Sequence, residues 1–296
     1  MKLMFDFPNL CFRNLYLNQV NPKSSNPNLE FWVYLLFDQI MKEVNKTSSD
    51  HQKEVIVALD DPGNSWRKTV FPEYKADRKK DEDVNWEQIF DYLNKFTNDL
   101  KLHTPWRVMQ VPGCEADDVI AVLARSTEES SIVYSGDIDF VQLVSDNVMV
   151  WNPHYEKFMS FPDEVKIANG VTLVNDVQEF LELSILTGQG GKDNVPNIRT
   201  PTGHEGRKPP FGLKKAIKAL DDEGIEKYAD NENYLRNKQL IDLSQTPDEI
   251  QNRILEYYNE YTPGDPDLTS ILDKYSWPSY MQKAAEVQTK LEATNV

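Results

Sequence analysis

The sequence contains few of the side chains that bind soft metals or form disulfides. Two cysteines, Cys11 and Cys114, and four histidines occur in 296 residues. The cysteines do not form a Cys-x-x-Cys pair, so neither a disulfide framework nor a cysteine–histidine zinc site is supported. Any metal ion is therefore expected to be bound by oxygen atoms.

Long hydrophobic runs are also missing. Apolar stretches such as residues 55–59 are far shorter than the roughly 18 residues that a membrane span requires. Asp6 interrupts the first apolar stretch before it reaches the about 7 to 15 residues of a signal-peptide core. We therefore expect a cytoplasmic protein with no membrane contact.

Positive charge is scarce overall, with 32 Lys and Arg against 48 Asp and Glu and a net charge of −16. This balance argues weakly against a nucleic-acid partner. The basic residues nevertheless cluster in two segments, which are residues 66–80 and the set Arg207, Lys208, Lys214, Lys215 and Lys218. Each cluster is either a solvated surface or a binding surface for an anion, and the sequence leaves both interpretations open.

The order of apolar patterns predicts an α/β fold with a mostly parallel central sheet flanked by helices. Apolar runs at residues 2–5, 55–59, 106–111 and 131–135 are typical of buried strands, and residues 29–44 have helical periodicity. Residues 148–151 and 157–161 predict a hairpin. We predict a core over 1–170 and, over 171–296, a C-terminal α-helical lobe.

Acidic side chains stand where these predicted strands end. Asp6, Asp60, Asp137 and Asp139 follow strands, and Glu115, Asp117 and Asp118 begin a helix after another strand. Strand ends of an open α/β sheet meet at one edge, which forms the ligand crevice. So many carboxylates would repel one another unless cations neutralise them, and Mg²⁺ or Mn²⁺ suits such oxygen ligands. Two such ions about 4 Å apart can activate a water and stabilise the leaving oxygen of a phosphodiester.

Two rival motif interpretations fail on spacing. Residues 188–192 hint at a phosphate-binding loop, but Asp193 stands where Ser or Thr is needed. Asp137 and Asp139 hint at a calcium loop, but Gln142 replaces the turn glycine.

The ordered motifs resemble the 5′-nuclease superfamily of flap endonucleases and 5′→3′ exonucleases, and most of all its phage members of the ribonuclease H type. The resemblance covers roughly residues 1–220 and rests on Met4-Phe-Asp6, Leu59-Asp60, Phe71-Pro-Glu-Tyr-Lys75 with Arg78, Gly113-Cys-Glu-Ala-Asp-Asp118, Ser135-Gly-Asp-Ile-Asp139 and Gly191-Lys-Asp-Asn-Val-Pro196. It implies divalent-metal-dependent hydrolysis at 5′ ends, flaps or RNA primers on duplex DNA during replication.

The resemblance also implies roles for particular residues. The first metal would be held by Asp6, Asp60, Glu115 and Asp117, with Asp118 in the same acidic set, and the second by Asp137 and Asp139. Asp60, Lys75 and Arg67 are the predicted catalytic residues, the two cations as phosphate contacts. Tyr74 is a weaker candidate for stacking on a base, with half-buried packing as the alternative. Arg78 and Lys192 are further predicted nucleic-acid contacts.

Two larger segments have counterparts in that superfamily. Residues from about 66 to 100 correspond to its helical arch or clamp. Residues 188–220 resemble its helix-turn-helix variant, which grips the duplex backbone, commonly with a K⁺ ion. Lys214, Lys215 and Lys218 would contact phosphates there without reading sequence. Branched or nicked duplex DNA and RNA-DNA hybrids are the implied partners, a single-strand-binding protein or sliding clamp is a further candidate, and we expect a monomer.

One position departs from the family pattern. Members usually carry Gly-Asp-x-x-Asp-Asn here, and anchoring on Asp193-Asn194 places Gly190 at the first aspartate. Asp193 is the candidate that compensates. Two alternatives follow, a non-catalytic homologue that binds DNA structures and a PIN-type ribonuclease. Binding of a 5′-flap duplex without cleavage would favour the former, and preference for single-stranded RNA the latter.

Overall fold

A computed structural model describes residues 1–47, 53–63, 65–204, 206 and 209–294. Within these ranges six strands form one sheet in the order β3-β2-β1-β4-β5-β6. They are β1 (Lys2–Asp6), β2 (Glu54–Leu59), β3 (Arg107–Gln110), β4 (Ser131–Tyr134), β5 (Val148–Asn152) and β6 (Lys157–Phe158). The first five run parallel, and β6 is antiparallel to β5. The mostly parallel sheet and the predicted hairpin are both confirmed.

Helices flank the sheet, as the apolar periodicity predicts. They are α1 (Phe7–Leu15), α2 (Leu29–Lys46), α3 (Arg67–Val70), α4 (Trp86–His103), α5 (Ala116–Arg125), α6 (Val177–Thr187), α7 (Leu213–Glu223), α8 (Glu232–Ile241), α9 (Asp248–Glu260), α10 (Leu268–Tyr275), α11 (Pro278–Met281) and α12 (Ala284–Glu292). The side chains of Asn28 and Asn85 cap the first turns of α2 and α4. None of the described helices is long and apolar enough to span a membrane.

A second, two-stranded antiparallel sheet lies between the strand-rich and helix-rich parts. It consists of β7 (Asp163–Ile167) and β8 (Gly170–Val174). The sequence interpretation missed it and placed residues 171–174 in the helical lobe. Two hydrophobic side chains of β8, Val171 and Leu173, are exposed, so this strand lacks the continuous apolar run that made the central strands recognisable.

Alternate residues of each central strand point into two separate hydrophobic layers. Met4 and Ile56 lie in one layer, with α5 and most of the helices up to α9. Leu3 and Val55 lie in the other, with α1, α2 and α4. The last three helices pack in this second layer. The ring centroids of Trp277 and Phe37 lie 5.3 Å apart there. The chain end therefore packs on the N-terminal helices, and the division at residue 170 stays a prediction.

The arch segment contains two helices and an irregular stretch between them. The helix α3 has four residues, turns follow as far as Arg78, and α4 begins at Trp86. The inner face of α4 is buried in the second layer through Ile89, Phe96 and Leu100. Two basic residues of the irregular stretch, Lys75 and Arg78, lie near Asp6 and Asp60, where β1 and β2 end.

Candidate active site

An open cleft lies at the carboxyl edge of the parallel strands. Because β1, β2 and β4 are in register, the residues that follow them leave the sheet side by side. The cleft is lined by six of the predicted acidic residues and by four basic residues, which are Asp6, Asp60, Glu115, Asp117, Asp137 and Asp193, and Arg13, Lys75, Arg78 and Lys192. Carboxylates more than one hundred residues apart in the chain thus meet at one place.

Asp6 begins α1 and is held from two sides. Its Oδ1 accepts the backbone N–H of Asn9 at 3.3 Å and its Oδ2 accepts the hydroxyl of Ser135 at 2.5 Å. Burial raises the pKa of Asp6 to about 7; the charges of Asp137 and Asp60 add to the increase and the Ser135 hydrogen bond opposes it. Such a carboxylate is one that a bound cation would stabilise in its ionised form.

Asp60 is exposed at the end of β2, where its Oδ1 accepts the backbone N–H of Ala116 at 2.9 Å. This contact joins the end of β2 to the first turn of α5. Asp117 lies one residue further on, and its Oδ1 is buried but accepts no hydrogen bond. Burial opposes ionisation of Asp117, but Arg67, Lys75 and Lys192 lower its pKa. Arg67 Nη1 lies 3.5 Å from Asp117 Oδ1 as an ion-pair partner.

Glu115 precedes α5, and its carboxylate accepts hydrogen bonds from three side chains. Its Oε2 accepts from Arg67 Nη1 at 3.0 Å and from the Tyr74 hydroxyl at 2.9 Å. Its Oε1 accepts from Lys75 Nζ at 2.5 Å. Tyr74 is 2% exposed, so its ring has no face open to a nucleobase. The Tyr74 hydroxyl holds Glu115 in place, and the burial of the ring contradicts the predicted stacking role.

Arg67 and Asp118 lie behind the cleft. Both side chains are buried, and they form a two-pronged ion pair. The carboxylate of Asp118 also accepts the backbone N–H of Glu115 at 2.9 Å. Since neither side chain lines the cleft, Arg67 is unsuited to contact a phosphate and Asp118 is unsuited to bind a metal. Both are better assigned to positioning Glu115, which corrects two of the predicted roles.

Asp137 and Asp139 follow β4 and share one cation. Lys192 Nζ donates to Asp139 Oδ2 at 2.5 Å and also to Asp137 Oδ2. Gln189 donates to the other oxygen of Asp139 at 2.8 Å. Burial raises the pKa of Asp139 to about 6, against the opposing charge of Lys192. These two carboxylates are thus already paired within the protein.

Asp193 is 4% exposed and lies on the Lys192 side of the cleft. Its Oδ1 accepts from Arg78 Nη2 at 2.7 Å and is 4.0 Å from Lys75 Nζ. Gly190 lies in the same loop, and a Cβ atom there would meet nothing nearer than the Val195 carbonyl oxygen at 3.9 Å. The missing aspartate is therefore not excluded by lack of space.

The predicted duplex-binding lysines lie away from the cleft on α7. Lys214, Lys215 and Lys218 are all exposed. Ala216 and Ala219 on the other face of the helix are buried. Arg207 and Lys208 lie outside the described residues. The structure thus provides a cationic helix face, but it does not bring this face together with the acidic cleft.

Sequence reasoning missed several residues that shape the cleft. Ser135 and Gln189 each donate to a cleft carboxylate, and Phe12, Arg13 and His154 line the cleft. Ser135 belongs to the motif of residues 135–139, but the motif does not indicate its role as a donor. Phe12 and Arg13 belong to α1, and no periodic or spacing signal distinguished them from other residues of an amphipathic helix.

The donors suit a hard divalent ion better than any other cofactor, because they are all oxygen atoms. Asp6, Asp60 and Asp117 line the same cleft, and Arg67 Nη1 lies 3.5 Å from Asp117 Oδ1. Among the described residues, however, no three acidic, His or Cys side chains converge closely enough to enclose an ion. Binding would therefore require these side chains to rotate toward a common point.

Comparisons with known proteins agree with this arrangement. The ribonuclease H of Enterobacteria phage T4 is 29% identical over 276 residues, which are 87% of this chain and 86% of that protein. The 5′-3′ exonuclease of Buchnera aphidicola is 27% identical over 70% of this chain but only 62% of its own length. The T5 D15 protein, crystallised with metal ions, has the same fold, with a TM-score of 0.61, 21% identity and coverage of 88% of this chain and 99% of that one.

A family model extends over more than half of the chain. The N-terminal resolvase-like domain of 5′-3′ exonucleases matches residues 2–171, a segment that includes β1 to β6 and most of the cleft carboxylates. The family anticipated from the sequence motifs is therefore confirmed, and this chain belongs to the 5′-3′ exonuclease family.

Proposed function

We propose that this chain hydrolyses phosphodiesters at 5′ ends, flaps or RNA primers on duplex DNA during replication. The observation that carries the proposal is the convergence of Asp6, Asp60, Glu115 and Asp117 in one open cleft, next to Lys75 and Arg78. The name of the T4 relative, ribonuclease H, supports RNA paired with DNA as one substrate.

The proposed metal ligands are Asp6, Asp60, Glu115 and Asp117, and Mg²⁺ or Mn²⁺ is the proposed ion. When bound among carboxylates, such an ion activates a water and stabilises the leaving oxygen of a phosphodiester. The Oδ1 of Asp117, which accepts no hydrogen bond, and the raised pKa of Asp6 support this set. Ser135 orients Asp6, and the backbone N–H of Ala116 orients Asp60.

The basic residues divide into two roles. Lys75 and Arg78 line the cleft, and Arg78 has half of its side chain exposed, so we assign them to the phosphates of the substrate strand. Arg67 instead fixes Glu115 from behind. Charge supplied by positioned cations stabilises a phosphoryl transition state without further chemistry from the protein.

The helical lobe is proposed to bind the duplex. The exposed lysines of α7 suit phosphate contacts without base readout. The proposal also includes a K⁺ ion in the loop before α7 and a replication partner such as a single-strand-binding protein or sliding clamp. We further propose that the protein is a monomer and is cytoplasmic, in the host cytoplasm if a phage encodes the chain.

A cleavage assay with a matched acidic control tests the catalytic assignment. With Mg²⁺ and a 5′-flap duplex, Asp60→Asn should lower the cleavage rate by roughly a hundredfold or more, because several kcal/mol of transition-state stabilisation depends on the ion. Its affinity for the same duplex without metal should change little. Asp146→Asn, at an exposed aspartate between β4 and β5 at the opposite edge of the sheet, should cleave normally.

The same assay separates the alternatives. A wild-type protein that binds the flap duplex but does not cut it with Mg²⁺ or Mn²⁺ would reject the proposal and favour the non-catalytic homologue. Faster cleavage of single-stranded RNA than of the flap would favour the PIN-type ribonuclease. The family match and the α7 lysines favour the first proposal over both.

A further inference from the structure

The ammonium group of Lys192 lies between the two carboxylates that follow β4. It donates to Asp139 Oδ2 at 2.5 Å and also contacts Asp137 Oδ2. Because Asp137 and Asp139 flank a single residue, one cation can contact both. This is the place that a second divalent ion would have to occupy.

The remaining oxygens of this acidic pair also have donors. Asp137 Oδ1 accepts the backbone N–H of Asp139 at 3.1 Å, and Asp139 Oδ1 accepts from Gln189 Nε2 at 2.8 Å. A divalent ion between the two carboxylates would be repelled by an ammonium group at the same position. Both carboxylates of the pair therefore contact the same ammonium group and accept further hydrogen bonds from the protein.

The loop that carries Lys192 supplies no free carboxylate to change this balance. Gly190 has no side chain, although a Cβ atom would fit there. Asp193 is 4% exposed and is paired with Arg78 at 2.7 Å. The loop thus brings one cation toward Asp137 and Asp139 where a metal-binding loop would bring an anion.

We propose that the Lys192 ammonium is the resident cation of the Asp137–Asp139 pair, so that the cleft takes up one divalent ion and not two. The inference rests on the proposed function, because the single ion is the one assigned there to Asp6, Asp60, Glu115 and Asp117. An ammonium has three N–H donors, of which two serve the carboxylates. The third is available to a phosphate oxygen of a strand lying in the cleft, since Lys192 lines it.

The number of bound ions in the absence of nucleic acid tests this proposal. We would titrate the full chain with Mn²⁺ and count bound ions by calorimetry and by electron paramagnetic resonance. The wild type should bind one ion, and Lys192→Met should bind two. Lys192→Arg, which keeps the charge, and Lys214→Met, which removes an exposed lysine on α7, should each stay at one.

The same count would be repeated in the Gly190→Asp variant, because Asp137 and Asp139 alone could bind Mn²⁺ too weakly to be counted. Gly190→Asp should still bind one ion while Lys192 is present, and Gly190→Asp with Lys192→Met should bind two. Thermal unfolding of each variant would confirm that it is folded. Two ions in the wild type, or no increase on removing Lys192 in either background, would overturn the proposal.

The failure of this inference and that of the proposed function have different signatures. Two ions in a wild type that cleaves the 5′ flap would reject the role of Lys192 and leave the nuclease assignment intact. Absence of flap cleavage with either metal would reject the nuclease assignment itself, whatever the number of ions bound.

Discussion

The guanidinium of Arg67 forms a bidentate ion pair with the buried carboxylate of Asp118, with Nη1 3.0 Å from Oδ2 and Nη2 2.9 Å from Oδ1. Arg67 also donates from Nε to the backbone carbonyl of Leu240 at 3.2 Å. The pair therefore connects α3, α5 and α8 directly behind the cleft. Glu115 is held on the cleft side of the same guanidinium.

Replacing Arg67 should destabilise the fold strongly. Arg67→Met leaves Asp118 buried and unpaired, and breaking such a pair from one side costs about 3 to 5 kcal/mol. Urea unfolding of the free protein would measure the loss. Lys227→Met, which removes an exposed partner of Glu223, should change the unfolding free energy by less than about 1 kcal/mol. An equally small effect of Arg67→Met would show that the pair is not a structural element.

The hydroxyl of Tyr74, and not its ring, should carry the role of this residue. Tyr74→Phe keeps the ring and removes the donor to Glu115, so we expect a loss of about 1.5 to 3 kcal/mol in unfolding free energy, the range for a hydrogen bond to a charged group. Flap affinity measured without metal should stay close to that of the wild type. If Tyr74→Phe is as stable as the wild type but binds the flap more weakly, Tyr74 contacts the substrate instead.

The lysines of α7 should contribute non-specific affinity for duplex DNA. Lys214→Ala should weaken binding. It should also reduce the steepness of the plot of log affinity against log salt concentration by about 1, which corresponds to the loss of one phosphate contact. Fluorescence anisotropy over a range of KCl concentrations would measure both quantities. Lys290→Ala, on α12 and paired with Glu286, is the matched control and should leave the slope unchanged. Equal slopes for the two variants would argue against α7 as the duplex-binding face.

The last helices should be needed for the stability of the N-terminal core. Trp277 is 3% exposed and packs against Phe37 and Tyr275. Trp277→Ala should therefore cost about 3 to 5 kcal/mol, as large-to-small changes at buried aromatic residues do. Tyr155→Ala, at a half-exposed ring, should cost far less. A single unfolding transition that moves only for Trp277→Ala would support a shared core, whereas a separate early transition would support an independent C-terminal domain.

Much of the fold and most of the cleft follow from local patterns. The apolar runs that end in Asp6 and Asp60 predict buried parallel strands, and parallel strands place their carboxyl ends at one edge. Eight apolar residues at helical spacing from Leu29 to Val44 predict the buried face of α2, and all eight are buried. The sequence of a strand or helix thus determines which side chains leave it at a given end or face.

Pairings between distant segments were beyond the same reasoning. Arg67 looked like a phosphate contact because it begins a basic segment, yet its guanidinium lies inside the protein. Lys192 lies more than fifty residues from the two carboxylates it neutralises. The return of α10 to α12 to the N-terminal core was likewise not visible in their own amphipathic patterns.

By itself, the sequence determined that acidic groups would meet at the edge of a parallel sheet, because strand direction and side-chain alternation are properties of short segments. Only the tertiary structure decided which of those groups stay open to a metal ion and which are neutralised by the protein's own cations. That outcome depends on burial and on distances of a few ångströms between residues far apart in the chain, and no local pattern encodes such distances.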